Sequence, residues 1–251
     1  MTDRRHFLRT TLAALGGMLV AGCDRISGSE TGVKILAAGE TLNQRVQALL
    51  SPSSAMAPEY TEADISAVFK PNGSILPDTP EYQALMRSGF ADYRLQVDGL
   101  VARPVTLSLA ELKALGTTTQ ITRHDCVEGW SAIGKWTGTP LSALLDHVRP
   151  RDDARFVVFH CFDNIEEDTA YYESIDLAEA RHPQTLLAYG LNGADLPVAN
   201  GAPLRLRIGR QLGYKQAKYI RRIELVASFG HIGDGNGGYW EDNGYEWYAG
   251  I

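Results

Sequence analysis

Residues 117–131 read Thr-Thr-Thr-Gln-Ile-Thr-Arg-His-Asp-Cys-Val-Glu-Gly-Trp-Ser. β-Branched residues fit a pleated, half-buried surface, so Thr117 to Thr122 reads as a strand. That strand delivers His124, Asp125 and Cys126 at its end. Upstream, Tyr93 to Val97 alternates with period two and stops at the Asp98-Gly99 turn, a further strand. Ser108-Leu109-Ala110-Glu111 is a capping box opening a helix to about Leu115, and Asp78 with Glu81 marks another helix start. Downstream, Leu141 to Val148 is helical, and Phe156 to Phe159 is a buried strand. Asn192-Gly193 is a turn, and Leu204 to Ile208 and Tyr219 to Val226 complete the strands. Strands and short helices mix without an internal linker, which predicts one α+β domain over residues 59–227.

The flanks differ from this body. Residues 1–22 carry a basic start, an apolar stretch from Leu12 to Gly22 and small residues before Cys23, the layout of a secretory signal. The apolar run is too short for a typical transmembrane helix. Arg4-Arg5 before Phe7-Leu8 resembles the twin-arginine export signal, whose route carries folded cargo. Val20-Ala21-Gly22-Cys23 resembles a lipobox, which makes Cys23 the lipidated first residue. These features place the protein outside the cytoplasm, on the extracytoplasmic (periplasmic) face of a bacterial membrane. Residues 23–58 read as anchor, tether and extended arm, with a short helix over 41–50. The arm continues to Pro80 and holds five prolines from Ser51 onward. The tail 228–251 is rich in Gly and aromatics and is expected to pack on the domain.

A net charge of −6 argues against a nucleic-acid partner, since binding phosphate backbones needs a basic surface. Any anion site must be a local cluster of Lys and Arg. With Cys23 assigned to the anchor, Cys126 and Cys161 remain. Outside the cytoplasm they could pair as a disulfide; alternatively one is a thiolate ligand to a redox-active metal. Cys-x-x-Cys and His-x-x-x-His are absent, which removes zinc and a zinc hydrolase, and the lack of Cys-x-x-Cys-His removes attached haem. No Gly-x-Gly-x-x-Gly opens a helix after a strand, so a dinucleotide site is unsupported.

The stretch from Arg123 to Ser131, followed by Trp136-Thr137-Gly138-Thr139-Pro140-Leu141, resembles the sulfite oxidase superfamily. It is most similar to the branch that contains the periplasmic methionine sulfoxide reductase catalytic subunit. Asn200 to Arg207, Gly213 to Lys218 and His182 to Leu186 resemble further blocks of that branch in the same order. The resemblance implies a mononuclear molybdenum–molybdopterin cofactor with Cys126 as its protein ligand. It also implies contacts to the cofactor from Asn200, Arg205 and residues Gln216, Ala217 and Lys218. A pterin phosphate needs charge-assisted donors, which Arg205, Lys215 and Lys218 can supply. His124 and Asn72 are further candidate contacts, whereas Trp130 and Trp136 read as core.

Three departures shape the expectation. Sulfite oxidases follow their cysteine with glycine, asparagine and arginine; here Val127-Glu128-Gly129-Trp130 follows Cys126 and puts an acid in place of a cation. Cys161 stands where the reductase branch has threonine, which places a second thiol near the expected cofactor. The segment from Asp64 to Asn72 matches that branch poorly. No room remains for the C-terminal dimerisation domain of sulfite oxidases, so a monomer is expected. The expected activity is oxygen-atom transfer, with S- or N-oxide reduction ahead of sulfite-type oxidation. Electrons would come from a separate membrane haem protein or periplasmic cytochrome. A metal-free binding lipoprotein with a Cys126–Cys161 disulfide is the alternative from another class.

Overall fold

The computed structural model describes residues 55–166 and 169–251, together with Ser29, Thr31, Gly39 and Leu42. The export signal, Cys23 and the helix expected over 41–50 lie outside the described residues, Leu42 apart. Among the described residues no helix is long and apolar enough to cross a membrane.

Two five-stranded sheets face a shared core. In the first, β1 (Leu95–Gly99) pairs with β2 (Val105–Leu107), and the order continues through β10 (Ile220–Val226), β5 (Phe156–Glu166) and β6 (Thr169–Asp176). The β1–β10 pair is parallel and its neighbours are antiparallel. The second sheet runs β3 (Thr118–Asp125), β4 (Ser131–Pro140), β7 (Thr185–Leu191) and β8 (Ala194–Asp195), with β9 (Arg205–Ile208) also on β7. β3 and β4 form a hairpin in unbroken register from Thr118↔Gly138 to Asp125↔Ser131.

Alternation decides which side chains of β3 turn inward. Gln120, Thr122 and His124 are buried while Thr119 and Arg123 are exposed. All of β7 and β9 is buried, as expected for strands covered on both faces. Between the sheets lie Tyr82, Tyr93, Leu95, Val97, Phe159 and Ile223, among other buried apolar residues. α3 (Leu141–Val148) adds Leu141, Leu144, Leu145 and Val148, spaced to fall on one helix face. Each such side chain contributes roughly 1.5–3 kcal/mol when buried.

α2 (Leu109–Ala114) carries the capping box read from sequence: Glu111 N–H donates to Ser108 Oγ at 3.2 Å, and Ser108 N–H to Glu111 Oε2 at 2.8 Å. α1 (Pro80–Arg87) starts one residue later than the Asp78 signal suggests, with Thr79 at the cap and Pro80 in the first turn. Proline suits that position because its missing N–H has no helical partner there. α4 (Leu177–Ala180) is capped by Asp176, whose Oδ1 accepts from Glu179 N–H at 2.7 Å.

β5 runs to Glu166, well beyond the Phe159 at which the sequence reading stops. β4, β6 and β7 are further strands that the reading does not resolve. The described residues 55–79 belong to the segment read as an extended arm. They form little regular structure and lie along β3 and β4, where Tyr60 N–H donates to Ile121 O and Ser66 N–H to Ile133 O. The tail is tied down. α5 (Tyr239–Asp242) docks by Tyr172 Oη on Asp242, Trp247 Nε1 donates to Ser174 Oγ at 2.9 Å, and Ile251 N–H reaches Arg210 O at 3.0 Å.

Candidate active site

Cys126 occupies the five-residue loop joining β3 to β4. Gly129 N–H donates to Cys126 O at 3.0 Å and Cys126 N–H to Trp130 O at 2.9 Å, which closes the loop on itself. Positive φ at Gly129 (86°) makes the tight return available without strain. Ser131 Oγ donates to Asp125 Oδ1 at 2.5 Å and fixes the loop's foot. The thiol lines a cavity of about 150 Å³ whose walls include Asn72, Asp163, Tyr171, Gln216, Lys218 and Trp240. Burial pushes the Cys126 thiol up, and backbone N–H groups of Glu128 and Val127 oppose the shift. At the mouth, Glu128 accepts from Trp130 Nε1 at 3.0 Å and pairs with Lys70 at 3.4 Å. Those two contacts hold its carboxyl below the usual range.

Behind the cavity lies a cluster of buried cations. Arg205 and Arg207 are fully buried, and Lys218 is nearly so. Arg205 donates to Asn200 O at 2.8 Å and Arg207 to Gln216 Oε1 at 2.7 Å. Lys218 donates to the carbonyls of Asn72, Ser74 and Ala199. None of the three forms a salt bridge with a carboxylate among the described residues. The buried Trp136 ring is 5.0 Å from the Arg205 guanidinium and 5.4 Å from that of Arg207, so this core side chain also offers its π face to the cations. Burial pushes Arg205 down to about 10 and Arg207 to about 9, with Arg205 adding to the latter. Lys218 falls to about 7 through burial and then Arg205.

Several buried polar atoms here have no partner: both ring nitrogens of His124, Asn200 Nδ2, Asn72 Oδ1 and Arg207 Nε. Burial, then Arg207 and Arg205, holds the His124 ring well below its ordinary pKa, so it is neutral. Gly213 admits that ring: a Cβ there would sit 2.6 Å from His124 Nε2. Unpaired buried charge and orphaned donors are costly in a folded chain. Their concentration beside one cavity fits an anionic, multiply hydrogen-bonded ligand. A cavity of about 150 Å³ is below the roughly 300–1,000 Å³ of common ligand sites, so it accommodates the reacting end of such a ligand.

Most of the residues singled out in the sequence converge here. Cys126, Asn72, Gln216 and Lys218 line the cavity, with His124, Asn200 and Arg205 behind it. Three are placed otherwise. Lys215 is fully buried and pairs with Glu173 and Glu241, so its ammonium is committed to carboxylates rather than offered to a phosphate. Cys161 is buried in the apolar core instead of lining the cavity, and both thiols are free, without the disulfide of the alternative reading. The Ala217 side chain is also in that core, and its carbonyl accepts from Leu206 N–H at 2.8 Å. The sequence reading missed Asp163, Tyr171, Trp240 and Tyr245, which line the cavity from β5, β6 and the tail.

Comparison with known proteins gives this geometry its class. The model of the oxidoreductase molybdopterin binding domain matches residues 82–229. The chain is 40% identical over 247 residues to the putative protein-methionine-sulfoxide reductase subunit YedZ1 of Azospira oryzae, covering 98% of this chain and 87% of that protein. It is 38% identical over 144 residues to the protein-methionine-sulfoxide reductase catalytic subunit MsrP of Xanthomonas axonopodis pv. citri. That match covers 53% of this chain and 45% of the relative, so the chain spans less than half of it. Among solved structures, the sulfane dehydrogenase SoxCD of Paracoccus pantotrophus gives a TM-score of 0.49 at 21% identity, covering 55% of this chain and 39% of that one.

Fold and site together define an oxidoreductase built on one molybdopterin-binding domain. The chain belongs to the oxidoreductase molybdopterin binding domain family, within the sulfite oxidase superfamily and near its methionine sulfoxide reductase branch.

Proposed function

We propose that this protein is an extracytoplasmic reductase of S-oxides that holds a mononuclear molybdenum–molybdopterin cofactor through Cys126. The observation that carries the reading is the carboxylate-free set of buried cations, Arg205, Arg207 and Lys218, beside a cavity reached by Cys126. When bound, the cofactor supplies a metal that exchanges two electrons and an oxygen atom with substrate. Cys126 would be its protein thiolate, a soft donor suited to such a metal. Lys218, Arg205, Asn200 and His124 would meet the charge and hydrogen-bonding groups of the pterin and its phosphate.

The relatives' names, protein-methionine-sulfoxide reductase subunit and catalytic subunit, support an S-oxide as substrate. The cavity agrees in charge. Glu128 at the mouth, where sulfite oxidases carry a cation, gives no attraction to a dianion such as sulfite, while a neutral oxide needs none. Arg4-Arg5 and Cys23 support export in the folded state by the twin-arginine machinery and anchoring by lipid. Electrons would then arrive from a separate membrane haem protein or periplasmic cytochrome.

Elemental analysis of the purified protein, with pterin detection after denaturation, tests the reading beside Cys126→Ser. Stoichiometric molybdenum and pterin in the wild type, an altered metal spectrum in the variant, and dye-driven reduction of methyl phenyl sulfoxide are expected. Protein from a cofactor-competent host that contains neither molybdenum nor pterin would sink it.

A further inference from the structure

Removing oxygen from an S-oxide as water consumes two protons, and the cavity walls show which group is free to give one. Tyr171 Oη already donates to Tyr214 O at 2.6 Å, and Tyr214 Oη to Glu246 O at 2.7 Å. The Lys218 ammonium is spread over three carbonyls. Glu128 is at the solvent-facing mouth, tied to Trp130 and Lys70. Asp163 differs from all of these. It lines the same cavity as Cys126, is 3% exposed, and its Oδ1 has no hydrogen-bond partner. Among the described residues its own backbone N–H is the one hydrogen-bond donor acting on the carboxyl, so an enclosed acid at the cavity wall is left committed to no other side chain by a hydrogen bond.

We infer that Asp163 is the acid that supplies a proton to the oxygen taken from the substrate. The inference rests on the S-oxide reading above. In the step, the S–O bond breaks and sulfur gains two electrons, which the loaded enzyme draws from its separate redox partner. The oxygen removed from the substrate ends as water, with one proton from the Asp163 carboxyl and one from solvent. The carboxylate then takes a proton back from water at the mouth. The ammonium of Lys218, which acts on Asp163 across the cavity, stabilises the carboxylate between turnovers.

The environment keeps this acid in a useful range. Burial raises the Asp163 carboxyl to about 6, opposed by Lys218 and by its own backbone N–H. The other groups that face it are Tyr82 from α1, Tyr171 from β6, Tyr219 before β10 and Cys161 on its own strand. All four have raised pKa values, so they are neutral near pH 7 and Lys218 is the cation acting on it. A general acid works best with its pKa near the operating pH and contributes about 10²–10⁴ in rate.

The test is Asp163→Asn in the cofactor-loaded enzyme, with methyl phenyl sulfoxide as substrate and a reduced viologen as electron source. We expect kcat to fall about 100-fold or more with KM little changed and molybdenum and pterin retained. The decline of wild-type kcat as pH rises through about 6 is expected to vanish in the variant. Infrared difference spectra, which need no turnover, are expected to show one buried carboxyl titrating in the wild type and missing in the variant. Asp163→Glu is expected to restore part of the rate. A loaded Asp163→Asn enzyme with wild-type kcat and pH profile overturns the inference, as does loss of cofactor from that variant. A loaded wild type that reduces no sulfoxide overturns the S-oxide reading itself, a distinct result.

Discussion

Two clusters of buried charge stand in this molecule, and they are built on opposite plans. Around Lys215, one ammonium meets two carboxylates, Glu173 and Glu241, all three almost fully enclosed. Burial raises the Glu173 carboxyl well above the usual range, with Lys215 opposing and Glu241 adding to the shift. Around Arg205, three cations share a region with no carboxylate bonded to them. In the first cluster the ammonium has both carboxylates bonded to it within the chain, although Glu173 Oε2 and Glu241 Oε2 take no further partner among the described residues, and the cluster joins the turn after β9 to β6 and α5. The second has carboxylates of the chain only at a distance, Asp163 acting on Lys218 and Asp125 on Arg207, and none among the described residues bonded to its cations. Buried charge with its partner present marks architecture; buried charge without one marks a site.

The largest effect should come from breaking the ion-paired cluster. Lys215→Met leaves two buried acids facing each other, and removing one partner of a buried pair costs about 3–5 kcal/mol. Urea unfolding of the cofactor-free protein reads the loss; an unchanged midpoint would mean the triad does not hold the tail in place. The contrasting substitution is Arg205→Met. It removes a cation that the chain itself does not neutralise, so stability without cofactor should change by less than about 1 kcal/mol. Molybdenum and pterin content should fall about tenfold, the size of one lost charge-assisted contact. Equal losses of stability in the two variants would erase the distinction between the clusters.

The clusters also differ in their response to pH. Lys218 is depressed from 10.5 to about 7 in the fold, so above pH 7 the unfolded chain holds a proton that the folded chain lacks. Stability without cofactor should therefore rise between about pH 7 and pH 10, at up to about 1.4 kcal/mol per unit. Bound anion restores the ammonium and should flatten that rise. Glu173 has the opposite sign: its raised carboxyl holds a proton in the fold, so its contribution declines as pH climbs past 4.5. Lys218→Met should remove the first slope and Glu173→Gln the second, in thermal melts across pH.

Much of this was legible in the sequence, for reasons that differ by residue. The Ser108 box and the 141–148 helix could be read because their signals are local: a cap, and apolar residues spaced along one face. Cys126 was legible because a β-branched strand and a distinctive run of residues flank it. β4 was hidden because Gly134, Gly138 and alternating threonines dilute its pattern, although its pairing with β3 is continuous. Asp163 was hidden because β5 seemed to end at Phe159, so nothing marked it as lying on a buried strand. Lys215 was misplaced for a deeper reason. Its partner Glu241 is in a Gly-rich tail, and no local pattern states that the tail folds back to meet it. Trp240 and Tyr245 reach the cavity by the same long-range return.

The parallel pairing of β1 with β10 sets the pace at which all of this can assemble. Residues 96–99 align with residues 222–225, near the two ends of the body, and that pairing is interior to its sheet. The entropy of closing so long a loop must be met before the contact returns any stability, which slows folding. The body therefore matures late and as one cooperative unit. A fragment ending before β10 would keep the Cys126 hairpin but leave two blocks of its first sheet, β1–β2 and β5–β6, without the strand that joins them.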